Sequence, residues 1–325
     1  EMSASLVGSE MCIRDRCRPW NALSLSLAQD GAINKLRSNL PDCPFPTRYT
    51  SLTAFNARYR QGMVTATGSL IYTNITERVK VGDAPADFQR LAPSFTVSLQ
   101  PWQEQLFFLR LMYKSTFRTP TFNDLYYYRL GNRSLRPEKA NEYNIGITWS
   151  KPFVSFLNYF SVTIDGYYND VTDKIVAFPT TYAWKMANYG KVRATGIDAT
   201  LAAATSLSKN ITLVISGGYT FQKAIDLTDP TSKSYKDQLP YTPEHSGNVS
   251  AILEMPWVNV GYSIVGVSER YSMSQNIPEN RIDGYMEHTV NLSKDFSLKR
   301  CKLRLQAEIV NLTDTQYDVI KYYPM

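Results

Sequence analysis

Apolar and polar residues alternate with a period of two along most of this chain, and this pattern limits its fold more than any other feature. In the segment 104–117, the odd positions are mostly apolar, whereas Arg110 and Lys114 fall on even positions. After a long connection, the segment 142–150 alternates in the same way. Successive side chains of a strand point to opposite faces of its sheet. Each segment therefore predicts a strand with one apolar face and one small or polar face.

About thirteen such segments follow one another, and most are near the roughly ten residues that a tilted strand needs to cross a bilayer. Their approximate bounds are 20–30, 49–60, 64–76, 94–100, 104–117, 142–150, 157–171, 189–204, 211–222, 245–254, 257–269, 282–293 and 301–312. Short and long connections alternate between them, and the long ones include 172–187 and 223–244. This order predicts an antiparallel meander whose two rims differ.

The composition supports strands and helps to choose between two strand-rich classes. The chain has 22 tyrosines and 14 phenylalanines, and no apolar run approaches the roughly 18 residues of a membrane helix. A soluble β-sandwich would also alternate. However, the strands are too numerous for one sandwich, and their polar faces are rich in Thr, Ser, Gly and Asn, which suits a hydrated lumen. We therefore predict an all-β fold, an antiparallel transmembrane β-barrel meander.

The charged and reactive residues argue against several functions. The net charge of +6 comes from 35 basic and 29 acidic residues that are spread through the chain, without the basic stripe of a nucleic-acid-binding protein. The four cysteines are too irregularly spaced for a metal site. Of the two histidines, only His288 is a plausible catalytic base, and no signal selects a nucleophile for it; a structural role is expected for both His245 and His288. We expect no enzyme activity, cofactor, metal or nucleic-acid partner.

The first 18 residues are expected to be foreign to the protein or an irregular leader. The stretch 8–16 fits no periodic template and resembles translated linker sequence. Residues 1–16 also lack the apolar core and small-residue cleavage site of a signal peptide. The predicted barrel domain therefore occupies residues 19–325.

Four segments resemble, in order, landmarks of the TonB-dependent outer-membrane receptors of Gram-negative bacteria. They are FRTPTFNDLY with GNRSLRPEKANEYNIG (117–146), NYGKVRATGIDA (188–199), YTPEHSGN (241–248) and NLTDTQYDVIKYYPM (311–325). The resemblance implies a barrel of about 22 strands with a plugged lumen, of which this chain is expected to be a fragment with about strands 9 to 21, without the plug domain and the last strand. The ending KYYPM resembles receptors of Bacteroides-like bacteria.

The resemblance also implies a function and partners. The whole receptor would sit in the cell outer membrane, surrounded by its lipid, and take up a siderophore, haem, cobalamin or a similar scarce nutrient. The TonB energy-coupling protein would act through the missing plug domain, and a surface lipoprotein is a further partner suggested by receptors of this style. A passive porin-like or adhesin barrel is the alternative, and a soluble β-rich binding domain is a third hypothesis.

Two sets of candidate site residues follow from the orientation of the family, in which the long connections are extracellular. The first set combines aromatic and guanidinium groups, which suit a bulky, partly apolar and partly anionic ligand; it consists of Tyr126, Tyr127, Tyr128, Arg129, Asn132, Arg133, Tyr182 and Trp184. The alternative is that these side chains only pack the loops together. The second set, expected to contact a plug domain or to pair across strands, consists of Arg110, Lys114, Asp165 and Asp198.

Overall fold

Strands make up most of the computed structural model, which describes residues 4–39, 43–102, 104–128, 130–152, 157–179, 184–297 and 301–324. Within these ranges, one 14-stranded sheet contains the strands in sequence order, as in a meander. No helix in the described part of the chain is long and apolar enough to cross a membrane. The predicted all-β antiparallel meander is confirmed, and each of the predicted strands has a counterpart in the sheet.

The strands of the large sheet differ widely in length. They are β1 (Ala4–Trp20), β2 (Leu23–Ser38), β3 (Thr47–Gln61), β4 (Val64–Arg78), β5 (Phe88–Leu99), β6 (Leu106–Arg118), β7 (Glu138–Pro152), β8 (Leu157–Pro179), β9 (Trp184–Ser208), β10 (Ile211–Asp226), β11 (His245–Glu254), β12 (Asn259–Val267), β15 (Tyr285–Ser297) and β16 (Lys302–Ile309). Two small ladders join β13 (Arg270–Tyr271) to β14 (Arg281–Ile282) and β17 (Asp318–Ile320) to β18 (Tyr323–Pro324). The helical elements are α1 (Phe122–Tyr126) and a 3₁₀ turn (Pro278–Asn280).

The contacts of the chain divide it into two compact units. Unit 1 contains residues 1–99, 111–143 and 169–192, and unit 2 contains residues 100–110, 144–168 and 193–325. The long connections of unit 1 include 119–137, and those of unit 2 include 227–244 and 268–284. Most of the candidate ligand-binding residues lie in the connection 119–137.

In unit 2, four neighbouring strands separate apolar from polar side chains onto the two faces of the sheet. One row of paired residues is Leu213, Leu253, Val260 and Leu292. The adjacent row, on the other face, is Thr212, Glu254, Asn259 and Ser293. Side chains on the apolar face are exposed, for example Val249 at 54% and Tyr262 at 41%. An exposed apolar face of this extent is typical of a surface that contacts a membrane or a partner, and differs from the buried inner face of a sandwich.

Strand β1 was not among the predicted strands. Residues 4–20 form an extended strand whose backbone pairs with β2, with Cys17 opposite Leu25, although this segment was expected to be foreign or irregular. Backbone pairing needs only amide and carbonyl groups, so a strand can form here without apolar alternation. Trp20 ends β1, and the strand that was predicted to begin at Trp20 begins at Leu23. A foreign origin of residues 1–18 stays a prediction.

Strands β8 and β9 extend into the region 172–187, where a long loop was predicted. Strand β8 continues to Pro179 and β9 begins at Trp184. Ile175 within this extension is buried. The polar residues Thr172, Asp173 and Lys174 interrupt the apolar alternation, so the sequence pattern ends earlier than the strand does.

The connection between β6 and β7 contains a short helix followed by a tight turn. Thr121 caps α1 in a capping box, in which its hydroxyl accepts from the Asp124 amide at 3.1 Å and the Asp124 carboxylate accepts from the Thr121 amide at 2.8 Å. The Gly131 amide donates to the Tyr127 carbonyl at 2.8 Å. A side chain at Gly131 would lie 2.7 Å from the backbone of Leu125, so this close approach requires glycine.

Candidate functional site

A buried carboxylate in unit 1, that of Glu77 on β4, holds the β6–β7 connection against the sheet. Glu77 is 7% exposed. The Arg48 Nε group of β3 donates to Oε2 of Glu77 at 2.7 Å, and the Tyr126 hydroxyl donates to Oε1. Arg48 also donates through Nη2 to the Pro120 carbonyl at 2.8 Å. Because both carboxylate oxygens are paired, the cost of burying this charge is offset.

Cation–π contacts also help to hold the β6–β7 connection against the sheet. The Arg48 guanidinium lies over the Phe122 ring at 4.9 Å, and the Arg133 guanidinium lies over the Tyr126 ring at 5.6 Å. Burial, followed by the hydrogen bond to the Glu77 carboxylate, raises the pKa of Tyr126 well above its ordinary value. Tyr126 therefore keeps its proton and acts as a donor at neutral pH. Its contacts favour a structural role.

An apolar cluster joins the β6–β7 connection to the β8–β9 hairpin. Leu125, Leu135 and Ile175 are all buried, with exposures of 2%, 6% and 6%, and Tyr126 and Met186 pack against them. The cluster combines residues of α1, of the turn before β7, of β8 and of β9. Apolar burial stabilises the cluster but does not fix the directions of its contacts. Hydrogen bonds around the cluster therefore define the geometry of the connection.

The side chains of two asparagines, Asn132 and Asn188, form hydrogen bonds that define this geometry. The Asn132 Nδ2 group donates to the Met186 carbonyl at 3.0 Å, and the Met186 amide donates to the Leu130 carbonyl at 3.0 Å. The Asn188 side chain accepts from the Arg136 amide and donates to the Arg136 carbonyl, both at 2.9 Å. The connection is therefore fixed to β9 at two places.

Exposed side chains of this anchored connection can meet a ligand. Tyr127 is 40% exposed, Tyr128 is 45% exposed and Arg133 is also exposed. Arg129 and Tyr182 lie outside the described residues, and so does the side chain of Trp184, although its backbone begins β9. The structure thus places Tyr126, Tyr127, Tyr128, Asn132 and Arg133 in one connection. Three of them, Tyr126, Asn132 and Arg133, also make contacts that hold the connection.

Arg110 and Asp165, from the second set, form an ion pair in unit 2. The Arg110 Nη2 group lies 3.0 Å from Oδ1 of Asp165, and the two side chains are 35% and 25% exposed. A Cβ atom at Gly146 of β7 would lie 2.1 Å from Oδ1 of Asp165 and 3.0 Å from Nη2 of Arg110. The pair therefore passes directly over Gly146, which leaves the necessary room.

The other two residues of this set lie apart from that pair. Asp198 accepts a hydrogen bond from the Thr220 hydroxyl at 2.7 Å, across β9 and β10. Lys114 belongs to unit 1, where its side chain is exposed and forms no ion pair with the described residues. Contact of any of the four with a plug domain stays a prediction.

Sequence reasoning missed the residues that organise the long connections. Arg48 and Glu77 are one example, and Arg270 of unit 2 is another: it is 6% exposed and donates through Nη2 to the Asp318 carbonyl at 2.6 Å. Nearby, the Tyr317 ring stacks on Tyr285 with 3.8 Å between centroids. No local pattern identifies these residues, because their partners are distant in sequence. Charged residues at strand ends, beside long connections, are the only available signal.

The sequence of the chain matches a known family along most of its length. Residues 23–312 match the family described as TonB dependent receptor-like, beta-barrel. The vitamin B12 transporter BtuB of Vibrio vulnificus is 36% identical over 84 residues, which are 25% of this chain and 13% of that protein. The vitamin B12 transporter BtuB of Photobacterium profundum is 25% identical over 209 residues, which are 62% of this chain and 30% of that protein.

Two solved structures have a fold similar to that of nearly the whole chain. The ferric citrate transporter FecA in its unliganded form has a TM-score of 0.72 at 13% identity, over 97% of this chain and 50% of that one. The copper transporter OprC has a TM-score of 0.70 at 15% identity, over 98% and 52%. The chain thus spans about half the length of these structures and less of the BtuB proteins. It belongs to the TonB-dependent receptor family and represents part of that family's β-barrel, as its motifs predicted.

Proposed function

We propose that this chain is part of an outer-membrane receptor that takes up a scarce nutrient with energy supplied through TonB. The observation that carries the proposal is the β6–β7 connection. Buried contacts of Glu77 and of the Leu125 cluster hold it, while Tyr127, Tyr128 and Arg133 are exposed. A ligand surface that is already ordered loses less conformational entropy on binding. Membership of the receptor family supports transport over the passive porin-like or adhesin alternative.

Cobalamin is the first nutrient to test. The relatives from Vibrio vulnificus and Photobacterium profundum both carry the name vitamin B12 transporter. Exposed tyrosines beside a guanidinium also suit a bulky ligand with apolar faces and a phosphate group. Ferric siderophores and haem are the other candidates, and the ferric citrate transporter among the solved structures supports a test of iron chelates.

The remaining parts of the proposal concern location and partners. We place residues 19–325 in the outer membrane of a Gram-negative bacterium as about strands 9 to 21 of the family barrel. A plug domain elsewhere in the receptor would contact TonB, and a surface lipoprotein would assist nutrient capture. Transport requires neither a catalytic group nor a nucleic-acid partner. The exposed apolar face of unit 2 supports the membrane location.

Uptake of radiolabelled cobalamin tests this function. The complete receptor is expressed in a strain without its own B12 transporter, with and without TonB. We expect uptake only when TonB is present. Equal uptake with and without TonB would support the passive barrel. If no cobalamin is taken up, uptake of ferric siderophores and of haem is measured with and without TonB. Failure with all three would contradict the proposal.

Loss of the exposed tyrosines tests the location of the ligand site. The double variant Tyr127→Ala with Tyr128→Ala is expected to weaken ligand binding about tenfold, since tyrosine is enriched among the few interface residues whose truncation costs more than about 1 kcal/mol. Tyr159→Ala is the control, because Tyr159 is similarly exposed but lies close to the short connection before β8. The affinities are measured by titration calorimetry on the complete receptor. Equal affinities of the double variant and the control variant would show that these tyrosines do not contact the ligand.

A further inference from the structure

Phe45, in the connection between β2 and β3, combines a strained backbone with an exposed ring. Its φ is +49°, in the left-handed region that bulky side chains rarely adopt. Pro44 and Pro46 on either side are each less than 2% exposed, whereas Phe45 is 38% exposed. A strained conformation persists only where its surroundings enforce it, and residues of this kind cluster at ligand sites. The two buried prolines therefore hold an aromatic ring at the surface, at the end of the sheet where the long connections lie.

Hydrogen bonds and a cation hold this turn in place. The Pro46 carbonyl accepts from the Leu36 amide of β2 at 3.1 Å. The Pro44 carbonyl accepts from the amide of Lys80, which lies in the connection between β4 and β5, at 2.8 Å. The Lys80 side chain is exposed, and its ammonium lies over the Phe45 ring, 5.9 Å from the centroid. Phe45 and Lys80 thus form an exposed aromatic–cation pair across two connections.

The connection between β4 and β5 also meets Arg133 of the β6–β7 connection. Gly82 has a φ of +81°, and a Cβ atom at this position would lie 2.6 Å from Nη1 of Arg133. The guanidinium therefore lies directly against the backbone of Gly82. Gly82 follows Lys80 by two residues, so their Cα atoms are at most about 7 Å apart. Arg133 thus links the Phe45–Lys80 pair to the connection already proposed to meet the ligand, and all of these residues belong to unit 1.

The ion pair of Arg48 with Glu77 supports these connections together. Arg48 follows Pro46 by two residues, and Glu77 precedes Lys80 by three. Their side chains are 13% and 5% exposed and pair at 2.7 Å, and the same carboxylate accepts from the Tyr126 hydroxyl. Three neighbouring connections thus share one support. A surface that is ordered before binding loses less conformational entropy when a ligand arrives.

The charges and rings of this surface define the kind of ligand that it suits. Among the described residues, neither Lys80 nor Arg133 forms an ion pair, and the exposed carboxylates of Asp83 and Asp87 pair with neither of them. Lysine and arginine together bind an anionic group, and an aromatic ring offers an apolar face. We propose that the ligand site extends from the exposed tyrosines across Arg133 to Phe45 and Lys80, and that it takes an anion with an apolar face. The inference deepens the proposed function and rests on it.

Titration calorimetry on the complete receptor tests this inference with four probes. Cyanocobalamin carries a phosphate, haemin carries carboxylates and ferric enterobactin carries catecholates, whereas ferrichrome has no net charge. We expect the wild type to bind one of the three anionic probes more tightly than it binds ferrichrome. The variants are then measured with the anionic probe that binds.

Phe45→Ala is expected to weaken binding of that probe about fivefold, because the ligand loses an aromatic contact. Lys80→Gln is expected to weaken it about threefold, and Lys80→Arg, which keeps the cation, to change it less than about twofold. Met63→Ala is the matched control, since Met63 is 52% exposed and lies in unit 1, in the short connection between β3 and β4. Phe45→Leu is the milder variant if Phe45→Ala does not fold, and it is expected to reduce the affinity less.

Protection of a cysteine distinguishes contact with the ligand from a structural role. Phe45→Cys and, as the control, Met63→Cys are made in a receptor whose cysteines, including the four of this chain, are replaced by serine. The anionic probe at about ten times its Kd is expected to slow the reaction of a maleimide at position 45 about tenfold, since only about a tenth of the sites stay free. The rate at position 63 should stay constant.

The results separate this inference from the proposed function. Binding of none of the four probes by the wild type would contradict the proposed function. Tighter binding of ferrichrome than of every anionic probe would contradict the inference alone. Binding of an anionic probe that Phe45→Ala and Lys80→Gln leave unchanged, or that does not protect position 45, would show that the ligand site does not reach this pair.

Discussion

At the scale of single residues, buried charges fix the long connections. Glu77 lies 29 residues from Arg48 and 49 residues from Tyr126, yet its carboxylate binds both. The sequence predicted Tyr126 as a ligand-binding residue, but it offered no means of finding its partner Glu77. Pairing over such distances depends on strand register and connection geometry, which alternation alone does not define.

Removing the charge of Glu77 tests whether its buried ion pair with Arg48 stabilises the protein. Glu77→Gln leaves the Arg48 guanidinium, whose side chain is 13% exposed, without its counterion. We expect the free energy of unfolding to fall by about 3 kcal/mol, the usual cost of breaking a buried pair. Urea unfolding of the receptor in detergent micelles measures the change. Glu104→Gln, at an exposed position, is the control; equal effects of the two variants would show that the buried pair adds no stability.

The raised pKa of Tyr126 predicts a loss of stability in alkali. Below about pH 10, folded and unfolded tyrosine both keep the proton. Above that pH the unfolded side chain ionises while folded Tyr126 stays protonated, so the free energy of unfolding decreases as pH rises. Tyr126→Phe is expected to make this decrease shallower between about pH 10 and 11.5. Urea unfolding at several pH values measures it, and identical slopes for the variant and the wild type would contradict the assignment.

A single methyl group at Gly146 is expected to break the Arg110–Asp165 ion pair, because it would lie 2.1 Å from Oδ1 of Asp165. We expect Gly146→Ala to cost about 1–3 kcal/mol of unfolding free energy, as overpacking does. The cost should shrink in an Asp165→Ala background, where the clash is absent. Gly68→Ala is the control, since no atom lies within 4 Å of its Cβ position. An unchanged cost in the double variant would show that the pair is not the cause.

At the scale of elements, the sequence predicted strands better than connections. Alternation is a local property, so it located β10 at 211–222 and β11 at 245–254, close to the observed Ile211–Asp226 and His245–Glu254. It failed where strands leave the predicted membrane region, because β8 and β9 continue there with polar residues that interrupt the alternation. It also gave no indication of α1, whose five residues are too few to show a helical period.

The apolar cluster between α1 and the β8–β9 hairpin has a testable role. Ile175→Ala is expected to cost about 2–4 kcal/mol, since Ile175 is 6% exposed. The loss should be local, so hydrogen exchange of residues 122–135 should accelerate while that of β10 stays constant. Val81→Ala, at a position that is 62% exposed, is the control. Unchanged exchange in 122–135 would show that the cluster does not hold this connection.

At the scale of the whole molecule, the distribution of apolar residues supports the proposed membrane location. A soluble protein buries its apolar strand faces, whereas Leu292, Tyr219 and Val249 are 44%, 48% and 54% exposed here. The sequence predicted this distribution because a period of two determines both faces of a strand at once. It could not predict that Gly247 pairs with Gly266, since their alignment depends on the register between two strands.

The central claim is that alternate residues of each strand contact lipid and water. Spin labels placed one at a time at positions 212–220 of β10 test it most directly, in a receptor whose cysteines, including the four of this chain, are replaced by serine. In lipid vesicles, we expect collisions with oxygen to dominate at Leu213, Ile215 and Tyr219, because oxygen concentrates in hydrocarbon. Collisions with a water-soluble nickel chelate should dominate at Thr212, Ser216 and Thr220. Equal accessibility along the strand, or the opposite alternation, would contradict the account.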